Sequence, residues 1–138
     1  MRLFVDTKVL LDVFGRREPF YEDSARIWTL AETGEVVGFV SAMSFPNIFY
    51  ILRRAEGYRA ARKAMGLIRD AFSLVPFDSQ ITNQAIDSDI KDFEDAIQFF
   101  SALRAGADSL ITRNTKDFQT GDVSIQTPTE FIATHFRA

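Results

Sequence analysis

The chain has no cysteine and only one histidine among its 138 residues, and this excludes several kinds of site. Without cysteine it can form neither disulfide bonds nor the thiolate sites of zinc fingers. No stretch approaches the roughly 18 consecutive apolar residues of a membrane span, and the N-terminus lacks the pattern of a signal peptide. We therefore expect a cytoplasmic protein that does not associate with membranes.

Several common functional motifs and an excess of positive charge are also missing. The chain carries no Walker-type phosphate loop, no dinucleotide-binding fingerprint and no Gly-x-Ser-x-Gly elbow. Its net charge is −3, whereas a protein that coats nucleic acid is normally basic. Any contact with RNA must therefore be local. The candidate for it, which a solvated helix face would equally explain, is a basic cluster of Arg53, Arg54, Arg59, Arg62, Lys63 and Arg69.

Short apolar runs alternate with helical patterns, which predicts an α/β fold in one domain over residues 1–138. Strands are predicted at 2–5, 36–40, 72–75, 109–111 and 123–126. Helices are predicted at 8–14, 19–33, 44–55, 58–71, 80–88, 92–104 and 128–136, with N-caps at Ser44, at Asp78 or Ser79, and at Asp92. Because right-handed crossovers place helices on both faces, we expect a three-layer α/β/α sandwich with a mostly parallel central sheet.

Three carboxylates occupy related places in this predicted fold. Asp6 follows the first strand, Asp95 lies near a helix start, and Asp117 lies in the loop after the fourth strand. Since ligands bind beyond the carboxyl ends of parallel strands, we expect these side chains to lie together. Such a cluster needs protons or a cation, and all-oxygen ligands suit Mg²⁺ or Mn²⁺. A divalent ion there would promote hydrolysis of a phosphodiester bond.

Each carboxylate also has a purely structural interpretation. Asp6 could cap the helix that follows it, and Asp92 could cap the helix predicted at 92–104, with Asp95 at the third position of that helix. Asp117 could be an ordinary turn residue. A phosphoacceptor role for Asp6 is less favoured, because no acidic residue adjoins it in the sequence. Only the joint occurrence of the three carboxylates favours the metal site.

Segments 4–12, 92–98 and 107–118 resemble the signature segments of PIN-domain proteins, in the order and spacing of that family. The resemblance implies a Mg²⁺- or Mn²⁺-dependent endoribonuclease of the VapC type, cleaving single-stranded or structured RNA and often held by an antitoxin protein. It makes Asp6, Asp95 and Asp117 the metal ligands and implies that Thr112 and Asn114 orient the last of them or the substrate. The further residues predicted to bind substrate are Thr7, Lys8, Arg53 and Arg54.

Two residues depart from the family pattern. Lys8 stands where the family usually has Asn, and Asn47 stands where it usually has Glu. An amide oxygen can still ligate a metal or bind its water, so Asn47 stays a candidate catalytic residue. Lys8 could neutralise the carboxylates or meet a phosphate. The alternative function is therefore a catalytically weakened PIN-like module that binds RNA or protein.

Several other residues have predicted places. Asp92 is favoured over Glu94 as a substitute for the missing Glu, because it lies only about 60° from Asp95 around the helix. Asp12 is expected to face solvent or Arg16. The nearly all-apolar helix at 44–55 is expected to pack in the core, or against a second subunit of a homodimer or an inhibitor. His135 is expected on the surface.

Overall fold

The structure is a computed structural model and describes residues 1–116, 118, 121 and 123–136. Strands and helices alternate along this part of the chain. They are β1 (Arg2–Val5), α1 (Thr7–Phe14), α2 (Tyr21–Glu32), β2 (Val37–Ser41), α3 (Ser44–Glu56), α4 (Tyr58–Ala71), β3 (Ser73–Val75), α5 (Ser79–Asp87), α6 (Phe93–Arg104), β4 (Ser109–Ile111), β5 (Ser124–Gln126) and α7 (Pro128–His135). Among these described helices, none has the length and apolar character needed to cross a membrane.

The five strands form one sheet in the order β3-β2-β1-β4-β5, and every pairing in it is parallel. The central strand β1 pairs with β2 on one side and with β4 on the other. Its residues Leu3, Phe4 and Val5 are 0–1% exposed. A continuous apolar run of this kind is typical of a parallel strand covered on both faces.

Alternate side chains of β1 enter two separate hydrophobic cores. Leu3 and Val5 pack with residues of α1, α2, α3, α4 and α7. Phe4 points to the opposite face and packs with residues of α5 and α6. Helices therefore cover both faces of the sheet, and the predicted three-layer α/β/α sandwich is confirmed.

The predicted helix caps are confirmed for Asp78 and Asp92 but not for Ser44. The Asp78 carboxylate accepts a hydrogen bond from the Ile81 backbone N–H, as expected of an N-cap. Ser44 is instead the first residue of α3, whose N-cap is Met43. Its hydroxyl is fully buried and bonds to another side chain, so it does not serve its own helix.

The order of the strands determines where a ligand can bind. The chain passes from β1 to β2 and β3 on one side, and then crosses to β4 and β5 on the other. Connections therefore diverge between β1 and β4, which opens a crevice at the carboxyl ends of these strands. Asp6, the residue after β1, lies at this crevice.

Candidate active site

A pocket of about 400 Å³ lies where the starts of α1, α3 and α6 meet. One part of its wall is acidic and another part is apolar. Its lining consists of Asp6, Thr7, Lys8, Leu11, Asn47, Tyr50, Ile51, Asp92, Glu94 and Asp95. The pocket brings together Asp6, Asp95 and Asn47, which are far apart in the sequence and were each predicted to belong to the site.

Backbone contacts fix Asp6 at the end of β1. Its N–H donates to the Ile111 carbonyl at 3.0 Å, which extends the pairing of β1 with β4, and its carbonyl accepts from the Val9 N–H at 3.1 Å. The carboxylate does not make the usual N-cap hydrogen bond to the second or third residue of α1. Its Oδ2 atom instead accepts a hydrogen bond from the Thr112 hydroxyl at 3.0 Å. Asp6 therefore occupies the N-cap position of α1 through its backbone, as the structural interpretation predicted, while its carboxylate is held by Thr112.

The surroundings of Asp6 disfavour its charge. The residue is only 6% exposed, and burial raises the pKa of its carboxyl above the ordinary value. The hydrogen bonds from Thr112 and the Thr7 backbone and the charge of Lys8 lower this pKa, and the charge of Glu94 raises it. Because the ionised carboxylate is poorly compensated, a bound cation would stabilise it.

The first turn of α6 supplies the rest of the acidic wall. Asp92 caps the helix, since its Oδ1 atom accepts from the Asp95 N–H at 3.0 Å. Glu94, ranked below Asp92 from its helical angle, also lines the pocket, and its charge acts on Asp6. The pocket lies at the end of α6, and residues pointing in different directions around a helix end can share one wall. The angle around the helix alone therefore underestimates the contribution of Glu94 to the acidic wall of the pocket.

The donor atoms fit a hard divalent cation, but the described residues do not complete a metal centre. Among them, no three carboxylate or histidine side chains lie close enough together to hold an ion. Asp6, Asp95 and Asn47 offer only oxygen donors of the kind that Mg²⁺ and Mn²⁺ prefer, and Mg²⁺ commonly keeps several waters. Asp117, the third predicted ligand, lies outside the described residues.

The two departures from the family pattern both lie at this pocket. Lys8 is exposed where it lines the pocket, and its charge lowers the pKa of both Asp6 and Asp12. Asn47 is half-buried and faces the pocket from α3. The substitutions that distinguish this chain are therefore placed where they can affect a metal or a phosphate directly.

A buried hydrogen-bonded network of neutral side chains links α1, α3 and α6. The hydroxyls of Thr7 and Ser44 lie 2.6 Å apart, and Gln98 donates from Nε2 to the Thr7 hydroxyl at 3.1 Å. These residues belong to α1, α3 and α6, the elements that carry or adjoin the pocket. Thr7 was predicted from the sequence to bind substrate, whereas Ser44 and Gln98 were not predicted to belong to the site. The available signal was a polar residue on an otherwise apolar helix face.

Thr112 and Asn114 shape the loop that follows β4. The resemblance implied that they orient the last acidic ligand or the substrate, and the described contact of Thr112 is with Asp6. The Asn114 N–H donates to the Thr112 hydroxyl at 3.3 Å, and its Oδ1 atom accepts from the Lys116 N–H at 3.3 Å. This loop therefore supports the position of the Asp6 carboxylate.

The two arginines predicted to bind substrate differ in position. Arg54 donates from Nη1 to the Tyr50 hydroxyl at 3.0 Å, and Tyr50 lines the pocket. The Arg53 guanidinium lies 5.9 Å from the ring of Tyr58, which is not among the pocket-lining residues. Arg54 is therefore next to the candidate site, and Arg53 points to the neighbouring surface.

The prediction for Asp12 is wrong. It is fully buried, and its Oδ2 atom lies 3.1 Å from Nε of Arg113, whose guanidinium packs 4.3 Å from the ring of Phe20. Position 12 faces the loop after β4, which the local spacing to Arg16 could not show. Burial raises the pKa of the Asp12 carboxyl, and the charges of Arg113, Arg17 and Lys8 partly oppose this rise.

Three solved structures share this fold. VapBC2 from Rickettsia felis bound to a DNA fragment from their promoter matches with a TM-score of 0.68 and 13% identity, over 92% of this chain and 98% of the other. A toxin-antitoxin complex from Klebsiella pneumoniae matches with a TM-score of 0.68 and 24% identity, over 93% of this chain and 98% of the other. The sarcin-ricin loop cleaving toxin VapC20 from Mycobacterium tuberculosis matches with a TM-score of 0.63 and 19% identity, over 78% of this chain and 86% of the other.

The sequence comparisons agree with this fold. Ribonuclease VapC1 from Aquifex aeolicus (strain VF5) is 25% identical over 138 aligned positions, which cover 94% of this chain and 92% of the relative. A family model described as the PIN domain matches residues 2–116. This match confirms the resemblance seen in the sequence: the chain belongs to the PIN domain family.

Proposed function

We propose that this chain is a divalent-metal-dependent endoribonuclease that acts as the toxin of a toxin-antitoxin pair. The observation that carries the proposal is the pocket that unites Asp6, Asp95 and Asn47 at the carboxyl edge of the sheet. The buried Asp6 carboxylate needs a counter-charge, and Asp95 and Asn47 bring further oxygen donors to the same pocket. The similarity to a relative named as a ribonuclease supports RNA as the substrate.

Each pocket residue has a role in this proposal. Asp6, Asp95 and Asp117 would hold Mg²⁺ or Mn²⁺, and Asn47 would offer its amide oxygen to the ion or to a water bound to it. When bound, the ion supplies an activated water and neutralises charge on the phosphate. Thr112 keeps the Asp6 carboxylate in place through its 3.0 Å hydrogen bond. Lys8 and Arg54 attract the RNA backbone to the rim of the pocket.

Cleavage of a labelled single-stranded RNA by the purified chain tests this function. We expect cleavage in Mg²⁺ or Mn²⁺, none in excess chelator, and none from the Asp6→Asn variant. Asp70→Asn is the matched control, because Asp70 is exposed on α4, pairs with Arg69 at 3.6 Å and does not line the pocket. Cleavage that survives the chelator or the Asp6→Asn change would refute the proposed mechanism.

The partners and location are parts of the same proposal. We infer one domain over residues 1–138, a cytoplasmic location, an antitoxin protein as inhibitor and a homodimer as the free form. The structural similarity to chains of two toxin-antitoxin structures supports the antitoxin. Light scattering on the purified chain tests the homodimer. Co-expression with a small DNA-binding protein encoded by a neighbouring gene tests the inhibitor, which should form a stable complex and stop cleavage.

A second candidate function is a PIN-like module with a weakened metal site. The position of Lys8 at the pocket favours it, because an ammonium there competes with a cation for the carboxylates. The Lys8→Asn variant separates the two functions. A large gain in Mn²⁺ affinity and cleavage would identify Lys8 as the disabling residue, whereas unchanged affinity and cleavage would reject this version.

A further inference from the structure

We propose that Tyr50 is a stacking platform for one unpaired nucleobase of the RNA, placed beside the acidic part of the pocket. This inference rests on the proposed ribonuclease function and names how the substrate is held. Tyr50 lines the same pocket as Asp6 and Asn47. A nucleobase stacked there would place its adjoining phosphate near the carboxylates.

The exposure of Tyr50 is the first observation behind this subsite. Its position in a nearly all-apolar helix predicted core packing, but the side chain is 61% exposed. Ile51 beside it is 37% exposed and, together with Leu11, adds apolar surface to the pocket. Aromatic and apolar surface exposed inside a pocket commonly marks a binding site.

The contact with Arg54 is the second observation. Arg54 donates to the Tyr50 hydroxyl at 3.0 Å, and its guanidinium carbon lies 5.7 Å from the ring centroid. The hydrogen bond holds the edge of the ring, while most of the side chain stays open to solvent. The subsite therefore combines a restrained aromatic ring with a positive charge, as in proteins that bind single-stranded nucleic acid.

The distribution of charge favours RNA as the occupant. Asp92, Glu94 and Asp95 make one wall acidic, so a phosphate can approach this wall only when a cation is bound there. Lys8 and Arg54 lie at or beside the pocket and can each meet a phosphate. A ribonucleotide matches these features because it joins a flat apolar base to a phosphate that a bound cation and these positive groups attract.

The geometry of α3 gives the RNA a direction. Asn47, Tyr50 and Arg54 follow one another at helical spacing on a single face, over about 10 Å of the helix. The face leads from the carboxylates outward to the positive charge. A base on Tyr50 would therefore belong to a nucleotide that flanks the cleaved bond, with the next phosphate near Arg54.

Tyr58 provides an internal control of the same chemistry. It is 54% exposed, and the guanidinium carbons of Arg53 and Arg62 lie 5.9 and 5.7 Å from its ring centroid. It lies at the start of α4 and is not among the residues that line the pocket. The two tyrosines are similarly exposed and both lie near arginine side chains, but only Tyr50 lines the pocket that holds the carboxylates.

The test measures binding and cleavage of a short fluorescein-labelled single-stranded RNA by full-length variants. Binding is measured by anisotropy in Ca²⁺, which occupies oxygen sites without the strict geometry of Mg²⁺. We expect Tyr50→Ala to weaken the Kd roughly 5- to 100-fold and to raise the KM for cleavage with little change in kcat. Tyr50→Phe keeps the ring and should lose less than about threefold.

An abasic nucleotide moved along the same RNA locates the stacked base. When the abasic nucleotide replaces the base that stacks on Tyr50, wild type and Tyr50→Ala should bind the RNA with equal affinity. Tyr58→Ala should bind every RNA as wild type does. Equal affinities of wild type and Tyr50→Ala for the intact RNA, or equal losses in Tyr50→Ala and Tyr58→Ala, would overturn the proposal.

The outcomes also separate this proposal from the proposed function. Metal-dependent cleavage that Asp6→Asn abolishes and Tyr50→Ala leaves unchanged would reject the stacking subsite alone. Base-dependent binding through Tyr50 without cleavage by wild type would support the subsite and reject the nuclease. If Tyr50→Ala alters self-association in light scattering and not RNA affinity, this face binds protein and the proposal is overturned.

Discussion

Asp6 and Asp12 lie at the two ends of α1, and a comparison of them separates function from stability. Both are buried, at 6% and 0% exposure, and burial raises the pKa of both carboxyls. Two consecutive residues of the loop after β4 hold them, since Thr112 bonds to Asp6 and Arg113 pairs with Asp12. Only Asp6 lines the pocket.

Access to a ligand, more than burial or charge, distinguishes the candidate catalytic carboxylate. Asp6 has a neutral partner, so its negative charge remains for a cation. Asp12 has a cationic partner, and among the described residues neither of its carboxylate oxygens accepts a hydrogen bond. Under the proposed function, Asp6 would bind the metal ion, whereas Asp12 attaches α1 to the loop after β4 through Arg113.

The largest expected effect is on cleavage by Asp6→Asn. Removing a metal ligand should lower kcat at least 100-fold, because the bound ion contributes several kcal/mol. The free energy of unfolding should stay equal or rise, since the variant removes a poorly compensated buried charge. Cleavage rates and urea unfolding of the same preparation measure both. Asp12→Asn should keep most of the cleavage activity, because Asp12 does not line the pocket, and a greater loss of activity there than in Asp6→Asn would contradict the assignment.

The next largest effect is on stability, in Arg113→Met. This change leaves Asp12 buried without its ion-pair partner and should lower the free energy of unfolding by about 3 kcal/mol. Asp12→Asn should change the free energy of unfolding much less, by under about 1 kcal/mol, because it removes the buried charge as well as the ion pair and leaves Arg113, which is 25% exposed, partly hydrated. Urea unfolding measures both variants. The double variant should lose less than the sum, and strict additivity would show that the pair does not couple.

The pH dependence of stability sharpens the comparison further. Because burial raises the pKa of Asp12 above 3.8, the folded chain binds this proton more tightly than the unfolded chain does. The stability that protonated Asp12 contributes is therefore fully present below its pKa in the unfolded chain. It is lost as the pH rises through its pKa in the folded chain. Relative to Asp12→Asn, wild type should lose stability over this interval. A gain of stability with rising pH would contradict the assignment.

The smallest effect concerns the neutral network beside Asp6. Thr7→Val removes a hydroxyl that contacts Ser44 and Gln98 while keeping the shape of the side chain, and should cost about 1 kcal/mol. Thr7→Ser keeps the hydroxyl and should cost less. Urea unfolding and the KM and kcat for RNA should show whether the network also positions the pocket. Equal losses in the two variants would exclude the hydrogen bonds as the cause.

Much of the fold could be predicted from the sequence because its signals are local. The apolar run at Leu3–Val5 and the caps at Asp78 and Asp92 depend on neighbouring residues, and the structure confirms them. The place of Asp6 followed from a general rule on parallel sheets. Ser44 was misjudged because its partner Thr7 is distant in the sequence.

The same limit applies to the site. No local pattern could show that Asp12 faces Arg113, or that Gln98 reaches the Thr7 hydroxyl, because each pair is joined only by the packing of separate elements. The exposure of Tyr50 was hidden for a similar reason. An all-apolar helix predicts burial, but the pocket leaves this part of its surface open.

Calorimetric titration of the metal-free chain with Mn²⁺ tests the central claim most directly. We predict saturable binding by wild type, its loss in Asp6→Asn, and its retention in folded Asp12→Asn. Equal Mn²⁺ affinity in wild type and Asp6→Asn would contradict the account, because the ion would then bind without the carboxylate at the end of β1.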